Sequence, residues 1–243
     1  MLRRSLIGTR DSAHHATYNF WWLLVLLFAT LLPCSARAQE SNEFLPEIDF
    51  FYKLDSNLRL AFQAKQTREN GNPTQAEIGP SLDFYWRPLK NLIRHEQIDD
   101  ARTRFILLSF GYHYLPSPSQ ATVNRLLFVA MPRFPLMWKI VASDRNRGEL
   151  NFSEGSHSWR YRNRLQFERE VTIRSYHPTP YTNVEVYYDS KYSKWTSTVL
   201  RAGCQFPIQK HTEFDAYYEH QNNTKTPPNT QVNAVGAILN LYF

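Results

Sequence analysis

The stretch that decides the fold is WRYRNRLQFERE, from Trp159 to Glu170, in which charged and apolar side chains alternate. Arg160, Arg162 and Arg164 occupy every second position, with aromatic or polar residues between them. Successive side chains of a β-strand point to opposite faces, so a period of two places the three arginines on one face. The segment is therefore predicted to be a strand with one charged face and one mainly apolar face.

The same alternation recurs along the chain, and no stretch after residue 39 carries a sustained helical pattern of apolar residues. It is blurred in residues 103–115 and 121–133, where both faces are partly apolar. Short turn-forming stretches rich in Gly, Pro, Asn and Ser separate the runs. The eleven predicted strands are 47–54, 58–68, 76–87, 103–115, 121–131, 137–151, 157–170, 181–189, 195–206, 211–221 and 232–243. Residues 39–243 are thus predicted to form one all-β domain.

Alternation alone does not separate a soluble β-sandwich from a transmembrane β-barrel, but the last segment, VNAVGAILNLYF, favours the barrel. Its apolar residues fall on one face and the chain stops at a phenylalanine, as in the C-terminal strands that outer-membrane proteins present to the barrel-assembly machinery. A terminal strand of this kind can pair with the first strand and remove the open edge of the sheet. The predicted assembly signal is Val235, Ala237, Leu239, Leu241 and Phe243. The alternative is a buried terminal strand in a soluble sandwich.

The N-terminal residues 1–38 are predicted to be a cleaved secretory signal peptide. A basic start precedes the apolar run FWWLLVLLFATLL, Phe20 to Leu32, which is shorter than the roughly 20 residues of a membrane span. Ala36-Arg37-Ala38 fits the small-x-small cleavage pattern; a lipoprotein cut before Cys34 is the alternative. Cleavage after Ala38 implies export and leaves Cys204 as the one cysteine, which excludes an intramolecular disulfide.

The charge balance argues against nucleic acid as a partner. The full chain has 28 basic and 22 acidic residues and a pI of about 9.3. Removing residues 1–38 takes away four arginines and one aspartate, which leaves 24 basic and 21 acidic residues. Much of the basic character therefore belongs to the leader. The mean hydropathy of −0.50 is also too low for a bundle of membrane helices.

In a barrel, the charged face of the quoted strand is predicted to look into the lumen. An arginine that faces lipid near the bilayer midplane costs roughly 2–4 kcal/mol, so three on one face are not tolerated there. Carboxylates on neighbouring strands are the expected partners. The predicted lumen charge network is Arg145, Arg147, Glu149, Arg160, Arg162, Arg164, Glu168, Glu170, Glu185, Glu213 and Glu219. Asn163 and Arg169 interrupt the apolar face; Arg169 can extend to the membrane interface, whereas the pattern offers no explanation for Asn163.

The strand number is predicted to be even. Eleven segments carry the pattern, but single-chain bacterial barrels have even numbers of strands. A single antiparallel transmembrane barrel of twelve strands is favoured, and ten strands is the alternative.

Five segments together resemble the family described as domain of unknown function 2490, DUF2490. They are DRNRGEL, WRYRNRLQFE, YTNVEVYYD, VLRAGCQFP and FDAYYEHQNN, in this order, followed by the strand that ends at Phe243. The resemblance is most specific in residues 144–243 and weakest in residues 90–135. It implies an outer-membrane β-barrel and no established activity, so no site residue follows from it.

The predicted role is structural, or passage of small solutes through a narrow pore in the outer membrane. Expected partners are outer-membrane lipid, the barrel-assembly machinery and possible small solutes, with no nucleic acid. A barrel enzyme acting on lipid or lipopolysaccharide is the alternative, suggested by His113, His157 and His220; a soluble lipocalin-like binder is a third hypothesis. No metal-binding or phosphate-binding motif is present, so no cofactor is predicted.

Overall fold

The computed structural model describes residues 39–86 and 106–243, which form eleven β-strands. The strands are β1 (Gln39–Lys53), β2 (Leu58–Glu69), β3 (Asn72–Trp86), β4 (Ile106–Leu115), β5 (Val123–Pro135), β6 (Ile140–Ser153), β7 (Ser156–Arg169), β8 (Thr179–Asp189), β9 (Lys194–Gln209), β10 (Thr212–Asn223) and β11 (Thr230–Tyr242). A short 3-10 segment, Met137–Lys139, joins β5 to β6. The predicted signal peptide, residues 1–38, lies outside the described residues. Within those residues, no helix has the length and apolar content needed to cross a membrane.

The strands form a closed barrel in which each strand pairs with its neighbours along the chain, and β1 pairs with β11. Sequential neighbours are antiparallel, whereas β1 and β11 are parallel, from Gln39 opposite Thr230 to Phe51 opposite Tyr242. The all-β barrel fold is therefore confirmed.

The predicted even number of strands is wrong, because the described residues close a ring of eleven. Consecutive strands of an up-and-down barrel alternate in direction, so an odd number makes the first and last strands run the same way. A parallel ladder still satisfies the backbone groups of both edges. Since β3 and β4 pair directly, the ring is complete without residues 87–105. The eleven segments read from the sequence each have a counterpart; the even-number rule was the source of the error.

The polarity of the barrel is inverted relative to a soluble protein. Large apolar side chains on the outer surface, such as Phe50, Phe110 and Leu200, are 41%, 50% and 48% exposed. Among the described residues, seventeen polar or charged side chains are buried, against ten apolar ones. The alternation of each strand thus places its apolar face outside and its polar face inside the ring.

We refer to the parallel pairing of β1 with β11 as the seam. Beside it, an aromatic ring lies in close contact with a glycine of β11. Tyr217 on β10, Leu45 on β1, Tyr181 on β8 and Ala234 on β11 form a small apolar cluster inside the barrel. A Cβ atom at Gly236 on β11 would lie 1.9 Å from Cζ of Tyr217. The absence of a side chain at this position allows the Tyr217 ring to lie against the β11 backbone.

Replacement of Gly236 by alanine is expected to destabilise the barrel by about 1–3 kcal/mol, because the added methyl group overpacks the contact with Tyr217. Urea unfolding followed by tryptophan fluorescence in detergent micelles measures the change. Gly148→Ala is the matched control, since a Cβ atom there meets nothing within 4 Å. Equal stability of the two variants would contradict the tight seam.

Candidate functional site

The most prominent polar feature of the barrel is a set of ion pairs on the inward faces of β3 to β8. We refer to it as the interior charge network. Its members are Glu77, His113, Arg125, Arg145, Arg147, Glu149, Arg160, Arg162, Arg164, Glu185 and Asp189.

Glu149 is one centre of the network, and its side chain is fully buried. Its Oε1 lies 2.8 Å from Nε of Arg147 and 3.3 Å from Nη1 of Arg162. Its Oε2 lies 3.4 Å from Nε of Arg125 and 3.8 Å from Nη1 of Arg160. Four guanidinium groups from three strands thus surround one carboxylate. A buried carboxylate requires such compensation, because burial removes the water that would otherwise solvate its charge.

Glu185 on β8 is the second centre. Nε and Nη2 of Arg164 donate to its Oε2 at 3.0 and 2.9 Å, which is a forked contact of one guanidinium with one oxygen. Arg145 Nη2 and Arg162 Nε donate to its Oε1 at 2.7 and 2.9 Å. Arg162 also donates to the hydroxyl of Tyr187 at 2.8 Å and contacts Glu149, so it joins the two centres.

Glu77 extends the network across the bore, from β3 to β6. Its Oε1 lies 2.6 Å from Nδ1 of His113 and accepts from Nη2 of Arg147 at 3.2 Å, and its Oε2 accepts from Nη1 of Arg125 at 3.2 Å. Because β4 and β5 stand between β3 and β6 in the ring, the contact with Arg147 spans part of the interior instead of following the wall.

The turn between β10 and β11 lies near one end of the network. Asp189 accepts from Arg160 at 3.0 Å there. Burial lowers the pKa of Lys225 in this turn, and the positive charge of Arg160 lowers it further. Lys225 therefore lies close to Arg160 and Asp189, at the end of the network nearest this turn.

The inward faces of β5 to β7 are rich in arginine, whereas those of β10 and β1 are rich in carboxylates; Arg59, Lys65 and Arg201 on β2 and β9 supply cations on the second side. In a ring of eleven strands, β6 lies opposite the β1–β11 seam. Inward positions of β5, β6 and β7 hold seven arginines and two carboxylates, whereas those of β10 and β1 hold six carboxylates. The arginines are Arg125, Arg133, Arg145, Arg147, Arg160, Arg162 and Arg164, and the six carboxylates are Glu43, Glu47, Asp49, Glu213, Asp215 and Glu219.

At the level of Glu149 and Glu185, buried side chains extend into the bore from both sides. Glu149 and Glu185 on the basic side are 1% exposed, and Val199, Ala234 and Tyr217 on the other side are 0%, 1% and 4% exposed. Residues that line a water-filled channel are exposed to solvent, so these five side chains do not line one, whereas the network arginines Arg160, Arg162 and Arg164 are 24%, 14% and 14% exposed.

At the end of the barrel where the chain terminates, the interior widens into a vestibule of about 790 Å³. Phe51, Tyr85 and Tyr242 line it together with Arg59 and Arg133. Arg59 lies over the ring of Phe51 at 4.2 Å and donates to Asp83 at 2.6 Å. The vestibule therefore has aromatic walls and guanidinium groups that already have carboxylate partners.

Seven of the eleven residues predicted for the lumen come together in the network. They are Arg145, Arg147, Glu149, Arg160, Arg162, Arg164 and Glu185. Glu168 instead pairs with Arg133 beside the vestibule, and Glu219 pairs with Arg201. Glu213 accepts from Asn240 at 3.1 Å near the same vestibule.

Glu170 is the one predicted lumen residue that the structure places elsewhere. It follows the last residue of β7, its side chain is 40% exposed, and it lies 3.6 Å from Nδ1 of His177 in the same connection. The strand ends at Arg169, so the alternation of faces does not extend to Glu170.

Sequence reasoning missed Glu77, Arg125, His113 and Asp189. Glu77 and Asp189 fall at the same alternate positions as the other polar residues of their strands, so the sequence pattern was sufficient to predict them. Arg125 and His113 lie in the region of blurred alternation. There, inward positions such as Leu115 and Leu127 are also apolar.

The histidines that suggested an enzyme lie in unrelated surroundings. His113 is part of the network through Glu77, His157 is exposed near the β6–β7 turn, and Nδ1 of His220 lies 2.8 Å from Asn233 on the outer surface. Over the described ranges, no group of three or more His, Cys, Asp or Glu side chains is arranged to hold a metal ion.

The predicted assembly signal lies on the outward face of β11. Val235 and Phe243 are 55% and 64% exposed, and the backbone N–H of Phe243 donates to Phe51 on β1 at 2.8 Å. Recognition of this face by the assembly machinery stays a prediction.

Taken together, these features define a closed all-β barrel with an apolar exterior and a charged, filled interior. The sequence matches the profile of the family described as "Protein of unknown function (DUF2490)" over residues 47–233, and the chain belongs to this family. The resemblance seen in the sequence is thereby confirmed. No curated protein and no solved structure matches the chain.

Replacement of Glu185 by glutamine is expected to destabilise the barrel by about 3–5 kcal/mol, because three buried guanidinium groups lose their shared negative charge. Glu168→Gln is the matched control: Glu168 pairs with Arg133 at the edge of the vestibule, where water can replace part of the interaction. Urea unfolding midpoints in detergent micelles compare the two. A smaller loss for Glu185→Gln than for Glu168→Gln would show that the network does not depend on this centre.

Proposed function

We propose that this chain spans the bacterial outer membrane as a β-barrel whose bore is closed by the interior charge network. The observation that carries the proposal is the inverted polarity, with apolar side chains outside and paired charges inside. In water, this arrangement would expose a continuous apolar surface and bury many charges at a cost. In a bilayer, the same surface is matched to lipid.

The dimensions of the strands support a membrane-spanning role. A tilted transmembrane strand needs about 9–11 residues, and the strands here have 10 to 16 residues. Exposed aromatic side chains lie at both ends of the barrel: Trp159 and Trp195 at one end, and Trp86 and Trp138 at the other. Tryptophan is favoured at the two membrane–water interfaces.

The filled interior favours a closed barrel over a freely conducting pore. Ion pairs from β3 to β8 cross the basic half of the bore, and the cluster around Tyr217 fills the acidic half. Solutes can enter the vestibule, which ends at the network. The proposed role is therefore a structural or solute-receiving barrel, and passage of a solute requires the network to rearrange.

Outer-membrane lipid and the barrel-assembly machinery are the proposed partners. The outward face of β11, from Val235 to Phe243, is the proposed assembly signal. Its position at the closing seam supports this role, because this strand must find β1 before the ring is complete.

The membrane location is tested by fractionation of cells that express the full chain. We expect the protein in the outer-membrane fraction, with faster gel mobility before heating than after heating, because a closed barrel resists unfolding by detergent. Recovery of folded protein from the soluble periplasmic fraction would overturn the proposal.

The closed bore is tested by conductance of the purified protein in planar lipid bilayers. We expect no steady conductance from the wild-type protein. The double variant Glu149→Ala with Arg162→Ala is expected to conduct, since it removes one carboxylate and one guanidinium from the centre of the network without changing the net charge.

The matched control for the conductance experiment is Arg133→Ala with Glu168→Ala, an equal truncation beside the vestibule. It is expected to remain closed, because the network beyond the vestibule is intact. Steady conductance of the wild-type protein, or equal conductance of both double variants, would contradict closure by the network.

A further inference from the structure

The solvent-exposed part of the interior charge network on β6 to β8 is cationic. The side chains of Glu149 and Glu185 are 0% and 1% exposed, whereas those of Arg145 and Arg164 are 19% and 14% exposed. Glu77, on β3, is the one network carboxylate with comparable exposure, at 17%. The carboxylates of β6 and β8 thus lie beneath the guanidinium groups that they bind. A solute that reaches this part of the network meets mainly guanidinium N–H groups.

The network also holds more guanidinium groups than carboxylates. Among the described residues, seven arginines of β5 to β7 form ion pairs with five carboxylates, which leaves two positive charges in excess. At Glu185, one carboxylate is shared by Arg145, Arg162 and Arg164. Arg145 and Arg164 lie directly opposite each other on β6 and β7, where like charges repel. An excess of charge in a shielded interior is costly unless a counter-ion is present.

Arg145 is the least compensated of the three arginines at Glu185. Its Nη2 donates to Glu185 at 2.7 Å, and within the described ranges its buried Nε has no hydrogen-bond partner. Arg164 donates to Glu185 from two nitrogens, and Arg162 contacts two carboxylates and a tyrosine hydroxyl. A guanidinium group can donate five hydrogen bonds. Arg145 therefore keeps N–H groups for a further acceptor.

Polar side chains connect the vestibule with Arg145 and Arg164. Glu168 lines the vestibule, and its Oε2 accepts from Nε2 of Gln166 at 2.9 Å. Oε1 of Gln166 in turn accepts from Nδ2 of Asn183 at 3.3 Å. Gln166 is two positions from Arg164 along β7, so both side chains lie on the same inward face. Arg145 and Arg164 are therefore the network arginines nearest the vestibule.

The carboxylates of β10 and β1 lie on another part of the wall. Strands β8 and β9 separate β7 from β10 in the ring. Four of these six carboxylates have partners outside the network: Glu47 with Gln63, Glu213 with Asn240, Asp215 with Tyr181, and Glu219 with Arg201. An anion held against β6 and β7 is therefore closest to the arginines and removed from the acidic side chains.

We propose that the vestibule receives a small oxyanion with two negative charges, which binds to Arg145 and Arg164 at its inner end. This inference rests on the proposed function, because it names the class of solute for a solute-receiving barrel. Two negative charges equal the excess of the network. Oxygen acceptors suit guanidinium groups, whose planar fork donates two parallel hydrogen bonds to a carboxylate or a phosphate. Free sulfate and hydrogen phosphate ions have this chemistry.

Titration calorimetry of the purified full chain in detergent micelles tests the site, with sulfate as the probe and chloride holding the ionic strength constant. We expect saturable binding of one sulfate ion per chain. Acetate, which carries one charge, is expected to bind roughly tenfold more weakly or less, since it leaves part of the excess uncompensated. Equal affinity for sulfate and acetate would overturn the assignment of a doubly charged ligand.

Arg145→Gln is expected to weaken sulfate binding roughly tenfold or more, because it removes a charged donor from the site. Glu185 keeps two arginine partners in this variant. Lys65→Gln is the matched control: it removes one inward positive charge of similar exposure, which lies 3.9 Å from Glu47 on the other side of the bore. It is expected to change the affinity less than about twofold. Equal weakening in both variants would show a general effect of charge and would overturn the site.

Arg145→Lys provides a second variant that keeps the positive charge and loses the planar fork. It is expected to bind sulfate several-fold more weakly than the wild-type protein. Heat-dependent gel mobility shows which variants are folded, and this variant decides the question where Arg145→Gln does not fold. Wild-type affinity in folded Arg145→Lys would overturn the role of the guanidinium group.

Outer-membrane fractionation separates failure of this inference from failure of the proposed function. A folded wild-type protein that lies in the outer membrane and binds no sulfate at millimolar concentrations overturns the anion site and leaves the proposed function standing. Recovery of the folded protein from the soluble periplasmic fraction overturns the proposed function, and this inference with it.

Discussion

The structure depends on the neutralisation of buried carboxylates by more than one arginine each. Glu149 and Glu185 lie inside a closed ring of strands, where each is 1% exposed and shielded from bulk water. Each is compensated by three or four guanidinium groups, and Arg162 is shared between them. Arginine suits this role because its planar fork donates from several nitrogens and stays charged when buried. The barrel wall can therefore hold charge on its inner face and remain apolar on its outer face.

Ring closure sets a second constraint. With eleven strands, the first and last run in the same direction, so the seam is a parallel ladder between β1 and β11. The inner side of the seam is held by Tyr217, which lies against Gly236, and by Arg201, whose guanidinium lies 4.1 Å over the Tyr217 ring. The same tyrosine packs with Leu45, Tyr181 and Ala234, so the seam and the apolar cluster inside the barrel share one side chain.

The outer surface of the barrel is mainly apolar. The exception lies on β6 and β7, two adjacent strands that carry polar side chains on both faces. Inside, Arg145 and Arg164 reach Glu185; outside, Asn163 and Asn146 reach Asp144. Both strands lie within residues 47–233, the part of the chain that matches the family. These two strands thus carry an ion-pair network on the inner face and a hydrogen-bonded polar cluster on the outer face.

The sequence by itself determined the strands and their faces, because a period of two is a local property that each segment displays alone. It placed Arg160, Arg162 and Arg164 on one face and Val235 to Phe243 on the other side of the wall. It did not determine the number of strands. Whether a barrel has an odd or an even number of strands depends on which two strand edges pair to close it. It did not determine the partners either: Glu77 and Arg147 are 70 residues apart in the chain and meet only because the ring curves. Asn163 appeared as an isolated defect in its own strand, and only the register with β6 showed that it belongs to a hydrogen-bonded cluster.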